Sequence, residues 1–222
     1  MRCSMREKSG VVFSIAEENT PVPGCTVSKE IAQTDDGYIS YFSLAAGTDI
    51  SAEIFPYHKL IFISSGNVEV YAADGKTWQL GHMDSLITPT GMPVGMRSAE
   101  DAVYTEISIR RPETMNKAVK AGEIFQLREL VPYQQDKIVN MDVLSNSKMK
   151  FVIMSFDAGT GLAEHAAPGE ALIFALEGEG IIGYEGTEHT IRAGENFHFA
   201  KGGAHFVKAQ SRFKMALLLT LE

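Results

Sequence analysis

The feature that most constrains this chain is that it repeats itself. The stretch YISYFSLAAGTDISAEIFPYHKLIFISSGNVEVY (38–71) is matched by KFVIMSFDAGTGLAEHAAPGEALIFALEGEGIIGY (150–184). Both read as a strand, an Ala-Gly-Thr turn, a short segment, a second strand holding "LIF", and a glycine. Gly47 aligns with Gly159 and Gly66 with Gly178, both at an offset of 112. Further on, DSLITPTGMPVG (84–95) matches ENFHFAKGGAHF (195–206) at an offset of 111, which pairs Gly91 with Gly202. The lead-ins VVFSIAEENTPVP and EIFQLRELVPYQQ are also alike. A repeat this long describes two copies of a whole domain, since about 100 residues is an ordinary domain size.

The expected division is therefore an N-terminal tail (1–10), a first domain (11–109), a linker (110–123) and a second domain (124–222). The linker RRPETMNKAVKAGE suits a short helix. Pro112 falls in a first turn, Met115 and Val119 share a face, and Gly122 stands at the C-terminal cap. Each half is expected to be all-β. In the second half the candidate strands are 151–157, 171–176, 180–184, 189–192, 196–199, 205–209 and 214–221. They are rich in Val, Ile, Phe and Leu, and glycine-bearing turns recur about every ten residues. That rhythm belongs to barrels and sandwiches.

Composition narrows the function. A formal net charge of -8 in 222 residues, with no basic cluster beyond Arg110-Arg111, argues against nucleic acid and anionic membranes as partners. The polar start MRCSMREKSG has no apolar signal core, and no run of 18 apolar residues exists, so the expected location is the cytoplasm. Of the two cysteines, Cys3 falls in the expected tail, which argues against a structural disulfide with Cys25; neither forms a CxxC or lies near a histidine, which argues against a thiolate metal site. A homodimer and a monomer whose two domains imitate one both fit the sequence. GEGIIGYEG reads as a hairpin, because no helix follows it as a phosphate-binding loop requires.

In the second half, Gly159, five residues, His165 and then Gly178 form one frame. Gly194, five residues, Ala200-Lys201-Gly202, two residues and His205 form another. This pair of motifs resembles the cupin family, and its traces in the first half (Gly47, Gly66 and Pro89-Thr90-Gly91) make the chain resemble a bicupin. The resemblance implies two tandem double-stranded β-helix (jelly-roll) barrels. It also implies a metal held by two histidines and a glutamate of the first motif and one histidine of the second. Here those positions are His165, Ala167, Ala171 and His205. Glu170 is one step off register, and on a strand one step reverses the facing. The first half retains none: the equivalent positions are Glu53, Phe55, Lys59 and Val94, with His58 one step off. No metal is expected there; either a Glu53–Lys59 ion pair fills the site or both residues stand in water at the barrel rim.

Two imidazoles are one short of the three protein ligands usual for a catalytic ion. His198, in NFHF, would be the third if its strand turned that histidine inward and the phenylalanines outward. A His165–His198–His205 set would suit Fe, Ni, Zn or Mn. Otherwise the cavity takes a small molecule against Phe151, Met154, Phe174, Phe206 and one of Phe197 and Phe199. Three readings follow: a metal-dependent oxygenase or isomerase of a small organic substrate, a non-catalytic bicupin that binds or senses a sugar or organic acid, or a largely structural protein in which the histidines are relics.

Overall fold

In the computed structural model, residues 5–34, 36–110 and 114–221 are described, without the side chain of Ile109. Strands dominate. Among the described residues the helical turns are Ile15–Glu18 and the 3-10 turn Leu127–Glu129. The short linking helix is not formed in 114–123, where Thr114–Met115 is a strand that pairs with Leu144 and Ser145 and turns follow it. Four-residue spacing of Met115 and Val119 was too weak a signal against an available sheet edge. Pro112, Glu113 and Cys3 lie outside the described residues, and Cys25 is a free, exposed thiol.

The chain divides into two compact units. The N-terminal unit holds residues 15–110 and Val119–Gln126, and the C-terminal unit holds 5–14, 114–118 and 127–221. Each unit takes a strand from beyond its expected limits. Val12–Phe13 adds to Asn196–Phe199, and Ile124–Gln126 adds to Asp84–Ile87, both antiparallel. These short segments satisfy backbone groups that the receiving strands would otherwise leave unpaired at a sheet edge. Residues 11–14 and 124–126 are thus exchanged relative to the boundaries expected from the repeat.

The N-terminal unit is a six-stranded and a four-stranded sheet. Its core includes Ile61, Ile63, Val70, Trp78, Leu86 and Tyr104. In the C-terminal unit one ten-stranded sheet closes the layer, because the long strand Ala171–Tyr184 serves both faces. Its first part pairs with Asn196–Phe199 and Phe213–Thr220, and its second part with Thr187–Arg192 and Ala204–Lys208. Phe156, Ile173, Phe197, Phe199, Phe213 and Met215 fill the enclosed space. The strands recur through the chain: Gly37–Leu44 and Met149–Phe156 start 112 residues apart (37 and 149), as do Lys59–Ser65 and Ala171–Tyr184 (59 and 171).

The long strand bends at Gly178. Its φ is +76°, and a Cβ there would sit 2.1 Å from the Arg212 carbonyl oxygen. At Gly66 the same holds, with φ +70° and a Cβ 2.2 Å from the Asp101 carbonyl. Only glycine takes this left-handed turn while the backbone of a distant segment lies so near. The aligned glycines of the two sequence copies therefore answer one steric demand.

Candidate ligand site

His165 and His205 face one another. They are direct partners across the antiparallel pair of Gly161–Ala166 and Ala204–Lys208. Their ring centres are 4.2 Å apart, with an angle of 52° between planes. On its other side His205 stacks on Phe199 at 4.1 Å and 25°. The three rings form a short column: His165 exposed, His205 buried, Phe199 in the core. Tyr184 adds a wall, 5.6 Å from Phe199, and it pairs in register with His205.

Each imidazole is held by its own strand. His165 Nδ1 lies 2.9 Å from the Ala163 carbonyl, and His205 Nδ1 lies 3.0 Å from the Gly203 carbonyl. A carbonyl only accepts, so both Nδ1 atoms carry the proton. With the proton on Nδ1, an uncharged ring presents its Nε2 lone pair, the tautomer a ligating histidine uses. Burial holds the His205 pKa below its ordinary value. The Gly203 carbonyl opposes this, and the His165 ring adds to it.

The consequence for stability has a definite sign. The unfolded chain takes up this proton at about pH 6.5, earlier than the folded protein does. Stability therefore falls as pH drops through that value, and the loss levels off once folded His205 is itself protonated. His205→Phe removes this share of the slope when unfolding is measured across the acid range. An unchanged profile would show that another group is responsible.

The remaining expected residues are not brought to this place. His198 faces the opposite way. Phe197 and Phe199 on either side of it point into the core, so alternation turns His198 outward. There it is covered by the N-terminal segment, with Nδ1 2.9 Å from the Glu7 carbonyl and Nε2 3.5 Å from Glu170 Oε2. The expectation of a third ligand required the reverse facing, and burial of two phenylalanines outweighs burial of one imidazole. Glu170, one step from Ala171, reaches His198 and the Met5 amide instead of the histidine pair.

The apolar candidates divide in the same way. Met154 belongs to the enclosed core. Phe151 and Phe174 are buried on the other face of their strands, edge to face at 6.3 Å. Phe206 also faces away from His205; it lies across Gly183, under the Lys208 ammonium at 4.2 Å. Phe199 and Tyr184 are the aromatic residues that meet the pair. Phe199 was one of two phenylalanines left open by the sequence, and Tyr184 was missed. Its place at the end of a run alternating inward and outward was the available signal.

The donor set does not fit a resident catalytic metal. Among the described residues no group of three His, Cys, Asp or Glu side chains could hold an ion, against the usual three protein ligands.

In the N-terminal unit the positions Glu53, Phe55, Lys59 and Val94 line one narrow cleft. The expected Glu53–Lys59 ion pair is not formed. Lys59 Nζ pairs with Glu106 Oε1 at 3.0 Å, both side chains being buried, while Glu53 stands exposed at the rim. A carboxylate already inside the unit competes better than one in water.

Comparison with known proteins places the fold. Residues 152–221 match the family model described as Cupin domain. A cupin 2 conserved barrel domain protein from Leptotrichia buccalis is similar over 97% of this chain and 99% of its own, with 26% identity and a TM-score of 0.86. A point mutant of salicylate 1,2-dioxygenase from Pseudoaminobacter salicylatoxidans shares the fold at 10% identity and TM-score 0.60, over 83% of this chain and 70% of its own. An oxalate decarboxylase of Bacillus subtilis with Mn(II) centres shares it at 11% identity and TM-score 0.53, over 97% and 78%. No curated protein matches the sequence. The protein is all-β with the cupin-barrel fold, and no helix among its described residues is long and apolar enough to cross a membrane.

Proposed function

We propose that this is a bicupin that binds a small organic or sugar acid at the mouth of its C-terminal barrel, without catalysis. The carrying observation is the His165–His205–Phe199 column. It offers two imidazole Nε2 atoms and an aromatic wall, in front of an interior already filled by side chains. The two-barrel reading is supported by strands that recur at the offset of the sequence repeat.

An acid suits this site because the imidazoles are the groups that change charge near neutrality. Burial disfavours the protonated form of His205, and an arriving carboxylate favours it. Binding is therefore linked to proton uptake, and affinity rises as pH falls through the ordinary histidine value of about 6.5 and below it.

The test is an NMR titration of the His165 and His205 ring protons with gluconate and benzoate, beside metal analysis after dialysis. Expected are saturable ring shifts that strengthen at lower pH and vanish in His165→Ala, with transition metal well below one equivalent. Near-stoichiometric metal in the native protein, lost in His165→Ala, would replace this reading with the metal-dependent oxygenase or isomerase.

A further inference from the structure

We infer that the N-terminal unit binds a short neutral oligosaccharide in a groove on the outer face of its four-stranded sheet. The proposal depends neither on the histidine pair nor on a barrel interior. The sheet is built from Asp49–Ile54, Val68–Ala72, Thr77–Leu80 and Pro93–Arg97. These strands turn Val68, Val70, Trp78, Leu80 and Met96 into the core, so alternation turns Glu69, Tyr71, Gln79 and Arg97 outward. With the turns around Thr48, Asn67 and Ser98 they enclose a groove of about 630 Å³, within the ~300–1,000 Å³ of small-molecule sites.

The floor and walls hold themselves in place. Glu69 accepts from Gln79 Nε2 at 2.5 Å and pairs with the Arg97 guanidinium. Arg97 in turn lies over the Tyr71 ring, 5.2 Å from its centre. Tyr71 lies across Gly95, where a Cβ would come within 2.5 Å of the ring, and its hydroxyl donates to the Ile50 carbonyl. At the wall the Gly47 amide donates to the Ser98 carbonyl, and the Ser98 amide to the Thr48 carbonyl. The buried Ser98 hydroxyl donates to the Asn67 carbonyl at 2.6 Å, while the Asn67 side-chain amide donates to Glu100. Groups fixed in this way lose little further freedom when a ligand arrives.

The fold does not require this polar set. The C-terminal unit pairs its strands in the same register: Glu69 opposite Arg97 and Tyr71 opposite Gly95 correspond to Ile181 opposite Lys208 and Gly183 opposite Phe206. Asp49 opposite Arg97 corresponds to Gly161 opposite Lys208, and Gln79 opposite Glu69 to Thr190 opposite Ile181. The same architecture thus closes with Ile, Gly and Thr where the N-terminal unit places Glu69, Asp49 and Gln79. A ligand supplies the reason that folding does not. Carboxylate, amide and guanidinium side by side match hydroxyl groups, each of which both donates and accepts. An anion is disfavoured, because Asp49, Glu69 and Glu100 outnumber Arg97 on the lining. A cation is disfavoured too, because Arg97 already covers the Tyr71 face it would use. A neutral, polyhydroxylated ligand meets neither obstacle, and the volume suits one larger than a single sugar ring.

The experiment is an NMR titration of the full chain with maltotriose and with cellotriose at about pH 7.5, where ordinary histidines are mostly neutral. The Asn67 and Gln79 side-chain amide resonances are followed. Expected with at least one trisaccharide are saturable shifts with a Kd below about 10 mM. The His165 and His205 ring protons should stay still, so failure here and failure at the histidine pair are read separately. Trigalacturonate should bind roughly ten-fold or more weakly, the worth of a charged contact made or opposed. Glu69→Ile with Arg97→Lys installs the residues that the C-terminal unit carries at the paired positions, and should weaken binding by a similar factor. Gln79→Ala, at an exposed position, should weaken it roughly three-fold or more, read at Asn67, and stands even if the double variant fails to fold. The proposal is overturned if neither trisaccharide gives saturable shifts, if trigalacturonate or spermidine moves the same resonances at lower concentration, or if the folded variants bind unchanged.

Discussion

Glu106→Ala is expected to destabilise the N-terminal unit by ~3–5 kcal/mol, the usual consequence of removing one partner of a buried ion pair. The carboxylate is the counter-charge of Lys59 and the acceptor of the Tyr38 hydroxyl. Both would be left in a space from which water is largely withdrawn. Tyr38 already carries a pKa raised by burial first and by Glu106 second, so its phenol stays protonated and would lose its acceptor. The protein supplies its own reporter: Trp78 is the single tryptophan, buried in the core of this unit and donating to the Gly122 carbonyl at 2.7 Å. Denaturant unfolding followed by its fluorescence should show the midpoint fall. Glu106→Leu combined with Lys59→Met should recover most of the loss, because no charge is then orphaned. A single variant as stable as the parent would mean that the pair is solvated and contributes nothing.

Phe199→Ala should cost ~3–5 kcal/mol in the C-terminal unit, the range for truncating a buried aromatic side chain. Phe199 is 1% exposed and touches Phe197, Tyr184 and His205. The same substitution should act on the histidine pair. Phe199 covers one face of His205, and loss of water is the main cause of that residue's lowered pKa. With the ring gone, the imidazole pKa should rise towards its ordinary value. Unfolding measurements and an NMR titration of His205 on the same variant check both. Lost stability with an unmoved His205 titration would locate the desolvation elsewhere, in Tyr184 or His165.

Much of the architecture was legible because it is written in local chemistry. Gly66 and Gly178 stood out as aligned glycines, and each takes a backbone conformation that side chains oppose. Asn196–Phe199 was readable from its aromatic content and the glycine-bearing turns on either side. Two expected strands, 171–176 and 180–184, are one, Ala171–Tyr184. Its central glycines look like a turn in one dimension but serve as a bend within a continuous strand. Gly161–Ala166 was missed because little of it is buried. Its sequence lacks the alternation of a half-buried strand, although its His165 lies across from His205.

Facing was the harder question. Register relative to the motif correctly separated Ala171 from Glu170, because one step along a strand reverses the side. It did not orient His198, since the sign of the alternation in NFHF depends on which face of that strand meets the core. Glu106 was invisible as the partner of Lys59 because it comes from a strand 47 positions onward (59 and 106), outside either motif.

By itself, then, the string of residues determined an all-β chain, written twice, with glycines at its sharp bends. Those properties follow from steric limits and side-chain periodicity, which act over a few residues. Only the tertiary structure decided that Val12–Phe13 and Ile124–Gln126 join sheets outside the domain limits expected from the repeat, that His198 is sealed outside while Phe199 lies against His205, and that Lys59 turns to Glu106. Such choices compare the burial of one side chain with that of another far along the chain, and that comparison exists only once the sheets have closed.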